Sequence, residues 1–299
     1  MSSVSVIIPT LNASTTLVQL IGKLRKQKAD VAEIIVIDSS SDDDTAAIAR
    51  SLGCEVIVIE RQVFNHGLTR NQAAAVSTAE VLVFMTQDAM PFDDMVVAHL
   101  LAPLESHAVA ASYARQVCGE KASALERFCR QFNYPDSFKL KSADTLLSMG
   151  IKAFFFSNVC SAIKKEIFLE VGGFVKTLMN EDMIFASELI HSGYKVAYQP
   201  EAVVVHCHNY SIRQQFHRHF DIGVSLKENG LLSYAQPAGE GKRFLKAGFQ
   251  HLLREEGIGY LGYFLVDTLS RYAGYSLGTQ YNILPKSLRR WLSTSPFYF

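Results

Sequence analysis

Four short, almost uniformly apolar runs alternate with amphipathic stretches through the first hundred residues, and this alternation constrains the fold more than any other feature. Val4–Ile8, Ile34–Ile37, Val56–Ile59 and Val81–Met85 are four or five residues long and rich in β-branched side chains. Helical patterns lie between them near 14–27, 43–52 and 68–77. Runs this short and this evenly apolar predict strands buried on both faces of a parallel sheet, with helices covering it. The predicted class is α/β, doubly wound. Ligands of such sheets sit beyond the carboxyl ends of the strands, so the loops that follow these runs are where chemistry is expected.

The rest of the chain is less regular. Residues 119–133 read as a helix and 136–152 as an irregular loop, and Asn158–Ile163 reads as a strand entering a helix that ends near Gly172-Gly173. A helix is expected over Glu181–Ser192, then strands at Lys195–Gln199 and Ala202–Val205. Beyond Tyr210 the pattern is helical, near 211–230, 238–255 and 258–278. The expected organisation is a sheet domain over residues 1–210 and a helical subdomain over 211–299. Charge is balanced overall, but residues 211–299 hold eleven Lys and Arg against six Asp and Glu. No dense basic stripe interleaved with aromatics accompanies that excess, so nucleic acid is not an expected partner, whereas a membrane surface stays open. No apolar run approaches the ~18 residues of a membrane span. The first 22 residues carry no charge, and the basic segment of a signal peptide is missing from them. The five cysteines are scattered and never CxxC, which predicts reduced, cytoplasmic thiols and no disulfide framework.

Three strand ends carry small polar groups or carboxylates: Pro9-Thr10-Leu11-Asn12, Asp38 through Thr45, and Thr86-Gln87-Asp88-Ala89. Ser14, Asp42 and Asp43 read as helix caps. The segment His66-Gly67-Leu68-Thr69-Arg70-Asn71 has a glycine for a tight turn and opens a helix. Arg70, expected on the first turn, opposes the helix dipole unless an anion lies beside it, which points to ligand contact.

Ser5–Asn12, Glu33–Thr45 and Leu82–Ala89 together resemble glycosyltransferase family 2. The HGxTRN segment at 66–71 and Thr86-Gln87-Asp88-Ala89 are similar to its rhamnosyltransferase-type members, and Ser157–Lys165, Asn180-Glu181-Asp182 and Val205–Asp221 extend the likeness. The resemblance implies a GT-A fold that binds a nucleotide-sugar donor and inverts the anomeric centre. It implies that Pro9, Thr10 and Asn12 line the nucleotide pocket, that Asp38 bonds the base with Ser40 close by, and that Arg70 faces the diphosphate. Asp88, with Gln87 beside it, matches the last acid of the family's DxD motif, which holds Mg²⁺ or Mn²⁺ against the diphosphate. Asp182 is implied as the general base.

General chemistry agrees with those roles. A departing diphosphate develops charge that a cation and an arginine stabilise, and inversion needs one base within reach of the acceptor hydroxyl. Asp182 alternatively reads as half of an acidic pair answering a helix dipole. Thr86 stands where the family's first DxD carboxylate would be, which leaves Asp88 a weak metal ligand alone. His206 would supply another, with His208 as the alternative, because strand register decides which ring faces the site. A zinc site from His206, His208, His217 and His219 does not fit the common spacings.

The rhamnosyltransferase-type segments tilt the donor toward dTDP-L-rhamnose, with UDP-hexoses open, and similar enzymes often act on lipid-linked saccharides at the inner face of the cell membrane. Leu261, Leu265, Leu269 and Tyr272 repeat at helical spacing, and residues 286–292 and 296–299 mix basic and aromatic side chains. These suit a peripheral contact with anionic lipid, or packing within the fold or a homo-oligomer. A nucleotidyltransferase would carry a Gly- and Lys-bearing phosphate loop, which Pro9–Asn12 lacks. A catalytically silent binding module is the other alternative, favoured by the incomplete DxD.

Overall fold

The computed structural model describes residues 3–234 and 239–299. Among the described residues nine strands form one sheet: β1 (Val4–Thr10), β2 (Val31–Asp38), β3 (Glu55–Val58), β4 (Val81–Met85), β5 (Met90–Pro91), β6 (Val109–Val117), β7 (Lys139–Lys141), β8 (Cys160–Lys164) and β9 (Lys195–Val205). Their order is β3-β2-β1-β4-β8-β6-β9-β5, with β7 also on the outer edge of β9. Strands β1 to β4, β6 and β9 share one direction, and β5, β7 and β8 run against it. The helices are α1 (Ser14–Leu24), α2 (Thr45–Ser51), α3 (His66–Val76), α4 (Val96–Leu101), α5 (Ala124–Asn133), α6 (Leu146–Met149), α7 (Lys165–Glu170), α8 (Glu181–His191), α9 (Ile212–Glu228), α10 (Gly239–Glu255), α11 (Ile258–Thr279) and α12 (Lys286–Leu292).

Alternation along β1 shows why the apolar runs are uninterrupted. Val4, Val6 and Ile8 pack on one face with Leu17, Leu20 and Ile21 of α1 and Ala49 of α2. Ile7 packs on the other with Ala73 and Ala74 of α3 and with Phe168, Phe174 and Phe185. Both faces are covered, so each strand residue gains by being apolar.

Two elements depart from the sequence reading. Strand β6 was not expected, because Val109–Val117 is rich in alanine and carries Ser112, Arg115 and Gln116 in place of a β-branched run. It is a strand because β8 and β9 satisfy its backbone on both sides. The two strands expected at 195–199 and 202–205 are one, β9, whose register against β6 shifts between Ala114 and Arg115, opposite the stretch holding Pro200. The expected loop at 136–152 holds β7 and α6.

The helices after Tyr210 share cores with the sheet region. Leu226 and Leu231 join the aromatic core above β1 and β4, and Phe128 of α5 packs with Leu252 of α10 and Phe264 of α11. Helices α9 and α11 cross backbone to backbone. A Cβ on Gly274 would stand 2.2 Å from the Phe216 carbonyl oxygen, and one on Gly278 2.1 Å from that of Phe220. No helix among the described residues is long and apolar enough to cross a membrane.

The cysteine expectation is corrected. Cys118, just past β6, and Cys207, just past β9, are joined as a disulfide, while Cys54, Cys129 and Cys160 are free and buried. Eighty-nine positions separate the pair, and the parallel pairing of β6 with β9 brings the two together.

Candidate active site

A cavity of about 560 Å³ opens at the carboxyl ends of β1, β2 and β4, where the alternating pattern placed it. Pro9, Thr10 and Leu11 form part of its wall with Ser39, Arg61 and Arg70. Gln87, Asp88, Gln116, Arg130, Asn158, Glu181, Asp182, His206, His208, Tyr210 and Arg218 are among its other polar lining residues.

The first two loops are tied to each other before any ligand enters. Thr10 donates to Asp38 at 2.9 Å, and the Ser41 amide donates to the other Asp38 oxygen at 2.9 Å. Asn12, with φ +53°, accepts from the Asp42 amide at 2.8 Å, and Ser40, with φ +54°, donates to Ile59. Asn12, Asp38 and Ser40 therefore brace the wall formed by Pro9, Thr10 and Ser39, and none of the three lines the cavity itself. Gln87 accepts from the Leu11 amide at 2.8 Å and donates to its carbonyl at 3.1 Å, fastening the third loop to the first. The cap positions of α1 and α2 are Ala13 and Asp44, so Ser14 is already the first residue of its helix and Asp43 stands one residue before the cap, its carboxylate accepting from the Ser14 and Thr45 amides. Asp42 is no cap either; it pairs with Arg61 at 2.7 Å.

Arg70 requires a correction. Helix α3 begins at His66, with Asn65 as its cap, so Arg70 lies beyond the first turn. Its charge is answered within the protein by Glu181 at 3.1 Å, and both side chains are less than a tenth exposed. The anion that the helix dipole demanded is a carboxylate of α8, although Arg70 still forms part of the cavity wall and its Nε has no protein acceptor.

That ion pair shapes its neighbour. Burial alone would raise Glu181, but Arg70 holds it below the ordinary range. Asp182 accepts from the Asn158 amide at 3.1 Å and from its neighbour Met183 at 2.8 Å. Burial first, and the adjacent Glu181 charge second, push Asp182 up to about 7. A carboxylate poised there takes a proton near neutral pH, as a general base must.

Asp88 meets two rings, those of both His206 and His208. His206 Nε2 is 3.4 Å and His208 Nε2 3.1 Å from the carboxylate. Strand register does not separate them, because residues two apart face the same side of a strand, and β9 in any case ends at Val205. Although burial opposes it, hydrogen bonds from the two rings hold Asp88 well below the usual carboxylate range. His206 Nδ1 donates to Gln116 Oε1 at 3.0 Å, so Nε2, 3.0 Å from His208 Nε2, carries a proton only in the charged ring and turns a lone pair toward the cluster in the neutral one. Three such ligand atoms within 4.8 Å of one another suit a divalent cation. His217 and His219 bond backbone carbonyls of Leu292 and Gln215 and stand apart from this cluster.

Some lining residues escaped the sequence reading. Gln116 sits on the unrecognised β6, donating to Tyr134 and Ser157, and Arg130 reaches it from α5. Asn158 was noticed only inside a longer resembling segment, yet its amide groups hold Asp182 and Glu181. Arg218 lay in a histidine- and arginine-rich stretch of α9 with no signal separating it from a solvated face.

Comparison with known proteins decides the family. The glycosyl transferase family 2 profile matches residues 5–172. The chain belongs to glycosyl transferase family 2. The transferase is 37% identical over 304 residues to the O-antigen chain rhamnosyltransferase WbaN of Salmonella anatum, covering 100% of this chain and 96% of that one. It is 36% identical over 301 residues to the O-antigen chain rhamnosyltransferase RfbN of Salmonella typhimurium, covering 99% and 96%. Among solved structures, the mannosyltransferase PcManGT of Pyrobaculum calidifontis, in complex with GDP-Man and Mn²⁺, superposes with a TM-score of 0.59 at 18% identity. That match covers 99% of this chain and 84% of the other and shows a common GT-A fold.

Proposed function

We propose that the transferase moves L-rhamnose from dTDP-L-rhamnose to a lipid-linked saccharide during cell-surface polysaccharide synthesis, with inversion at the anomeric carbon. The observation that carries the reading is that Asp182, held near neutrality, and the Asp88–His206–His208 cluster line one cavity. The two full-length rhamnosyltransferase relatives support the choice of sugar. Pro9, Thr10 and Ser39 would receive the nucleoside, braced by Asp38, Asn12 and Ser40, with Gln87 fixing the loop beneath it. Asp182 would take the acceptor hydroxyl proton as the new bond forms.

Asp88, His206 and His208 would hold a divalent cation, and two imidazoles among three ligands favour Mn²⁺ over Mg²⁺. A cation there supplies positive charge to the departing diphosphate. Binding to the native state raises stability, by about 2.7 kcal/mol at a hundred times Kd. Thermal melting should therefore rise with dTDP-rhamnose when Mn²⁺ is present and much less with EDTA. Asp88→Asn should lose that metal-dependent part. A shift with UDP-glucose or GDP-mannose alone would replace the donor, and a chelator-insensitive shift would remove the metal.

Exposed Ile258, Leu265, Leu269 and Tyr272 on α11 present a face without charge, and Lys286, Arg290 and Trp291 are exposed on α12. We assign these two exposed segments to peripheral contact with anionic lipid at the inner face of the membrane. Co-sedimentation with phosphatidylglycerol vesicles, exceeding that with phosphatidylcholine, is the expected result. A concentration-dependent dimer that ignores both vesicles would make the face a subunit contact instead.

A further inference from the structure

Four arginines line the cavity: Arg61, Arg70, Arg130 and Arg218. Three are answered by protein carboxylates, Arg61 by Asp42 at 2.7 Å, Arg70 by Glu181 at 3.1 Å and Arg130 by Glu126 at 3.0 Å. Arg218 has no carboxylate partner among the described residues, and its guanidinium carbon stands 4.6 Å from the centre of the Tyr210 ring. We propose that Arg218 is a catalytic residue that grips the donor diphosphate and stabilises it as the leaving group. The inference rests on the transferase reading above and gives Arg218 the anion-facing role expected of Arg70.

Position, orientation and rigidity each support it. The Tyr210 ring lies 5.1 Å from the His208 ring, whose Nε2 is 3.1 Å from Asp88, so one aromatic ring separates Arg218 from the Asp88 cluster. Stacking on an aromatic face fixes the guanidinium plane while its N–H edge stays available for bidentate contact with phosphate. Residues on both sides of Arg218 are pinned, because the carbonyls of Phe216 and Phe220 rest against Gly274 and Gly278 of α11. The start of the helix is fixed by a reciprocal cap between Ser211 and Gln214. A long cationic side chain thus stands on an immobilised stretch of helix, with a partly buried charge that no carboxylate of the described residues answers.

The chemistry balances. As the bond from the anomeric carbon to the diphosphate oxygen breaks, its electron pair stays on that oxygen, where Arg218 donates to the growing charge. The acceptor oxygen bonds the anomeric carbon and its proton passes to Asp182. Preorganised donors at a developing anion lower the barrier because they need no reorganisation during reaction.

The test compares diphosphate with monophosphate. Wild type, Arg218→Met and Arg218→Lys are titrated calorimetrically with dTDP and dTMP, and with UDP and UMP, in Mn²⁺ and again in EDTA. Wild type is expected to prefer the diphosphate. Arg218→Met should lose about tenfold to a hundredfold of diphosphate affinity, the worth of a charge-assisted hydrogen bond, with little change for the monophosphate. Arg218→Lys, keeping charge without the fork, should fall between and serves as the measurement if the methionine variant does not fold. Retention of the full preference in both variants would overturn the role of Arg218 and leave the transferase reading intact. Failure of wild type to prefer either diphosphate would overturn both.

Discussion

Asp182→Asn binds donor nucleotide as the wild type does but transfers sugar about 10²- to 10⁴-fold more slowly; this is the expected result, and the range is that of a positioned general base. Burial and the neighbouring Glu181 carboxylate raise Asp182 to about 7. Only the ionised form accepts a proton, so the wild-type rate should fall as pH drops through about 7, and the residual rate of the variant should lack this limb. Stability carries the same signature with the opposite benefit. The pKa of Asp182 is raised above the ordinary 3.8, so the contribution of this carboxyl to stability is fully present below that value. It is lost as pH rises through about 7, where the fold must hold a charge it disfavours. The asparagine variant is therefore expected to melt higher than wild type at pH 8, a gain in stability at the expense of function. Pre-steady-state transfer assays and melting curves at pH 5.5 and 8 read both effects. Unchanged turnover would remove Asp182 from the mechanism, and a lower melting temperature at pH 8 would contradict the assigned cause of its shift.

The second large effect concerns the ion pair beside Asp182. Arg70→Met should destabilise the protein by about 3–5 kcal/mol, because it leaves the Glu181 charge buried without its partner. The buried regime applies here, since the two side chains are only 4% and 8% exposed. Removing the charge as well, in Arg70→Met/Glu181→Leu, should recover part of the loss, and the non-additivity measures the coupling. The damage is expected to reach catalysis, because Asn158 donates to Glu181 through its side chain and to Asp182 through its backbone. Denaturant titration of the single and double variants checks this. A single-variant cost below about 1 kcal/mol, the level of an exposed pair, would return Arg70 to a purely ligand-facing role.

The parallel half of the sheet was legible because each strand there is buried on both faces, so its sequence has no choice but to be apolar. The run at Val81–Met85 coincides with β4, and the other three lie within three residues of β1, β2 and β3. Strand β6 was not legible, since its alanines and polar residues carry no β signal and only pairing to β8 and β9 makes it a strand. Losing β6 also hid Gln116, the side chain that orients His206. The choice between His206 and His208 was posed as one of strand register, which cannot separate residues two apart, and both rings meet Asp88. The Cys118–Cys207 pair was invisible for a related reason, because no spacing rule connects positions that meet only across two parallel strands.

Taken alone, the sequence determined the α/β class, the edge of the sheet where the cavity opens and the family resemblance, and it pointed to Asp88 and Asp182, which both line that cavity. Each of these is written in residues adjacent along the chain, through periodicity, turn chemistry or a contiguous motif. Tertiary structure alone decided how charges are answered. It placed Glu181 against Arg70, set Asp182 near neutrality, brought His206 and His208 both to Asp88, and left Arg218, beside the same cavity, without a carboxylate among the described residues. The electrostatic state of a side chain depends on burial and on neighbours within a few ångströms. Those neighbours come from α3, α8, β6 and α9, elements far apart in the chain that only the folded sheet and its crossing helices bring together.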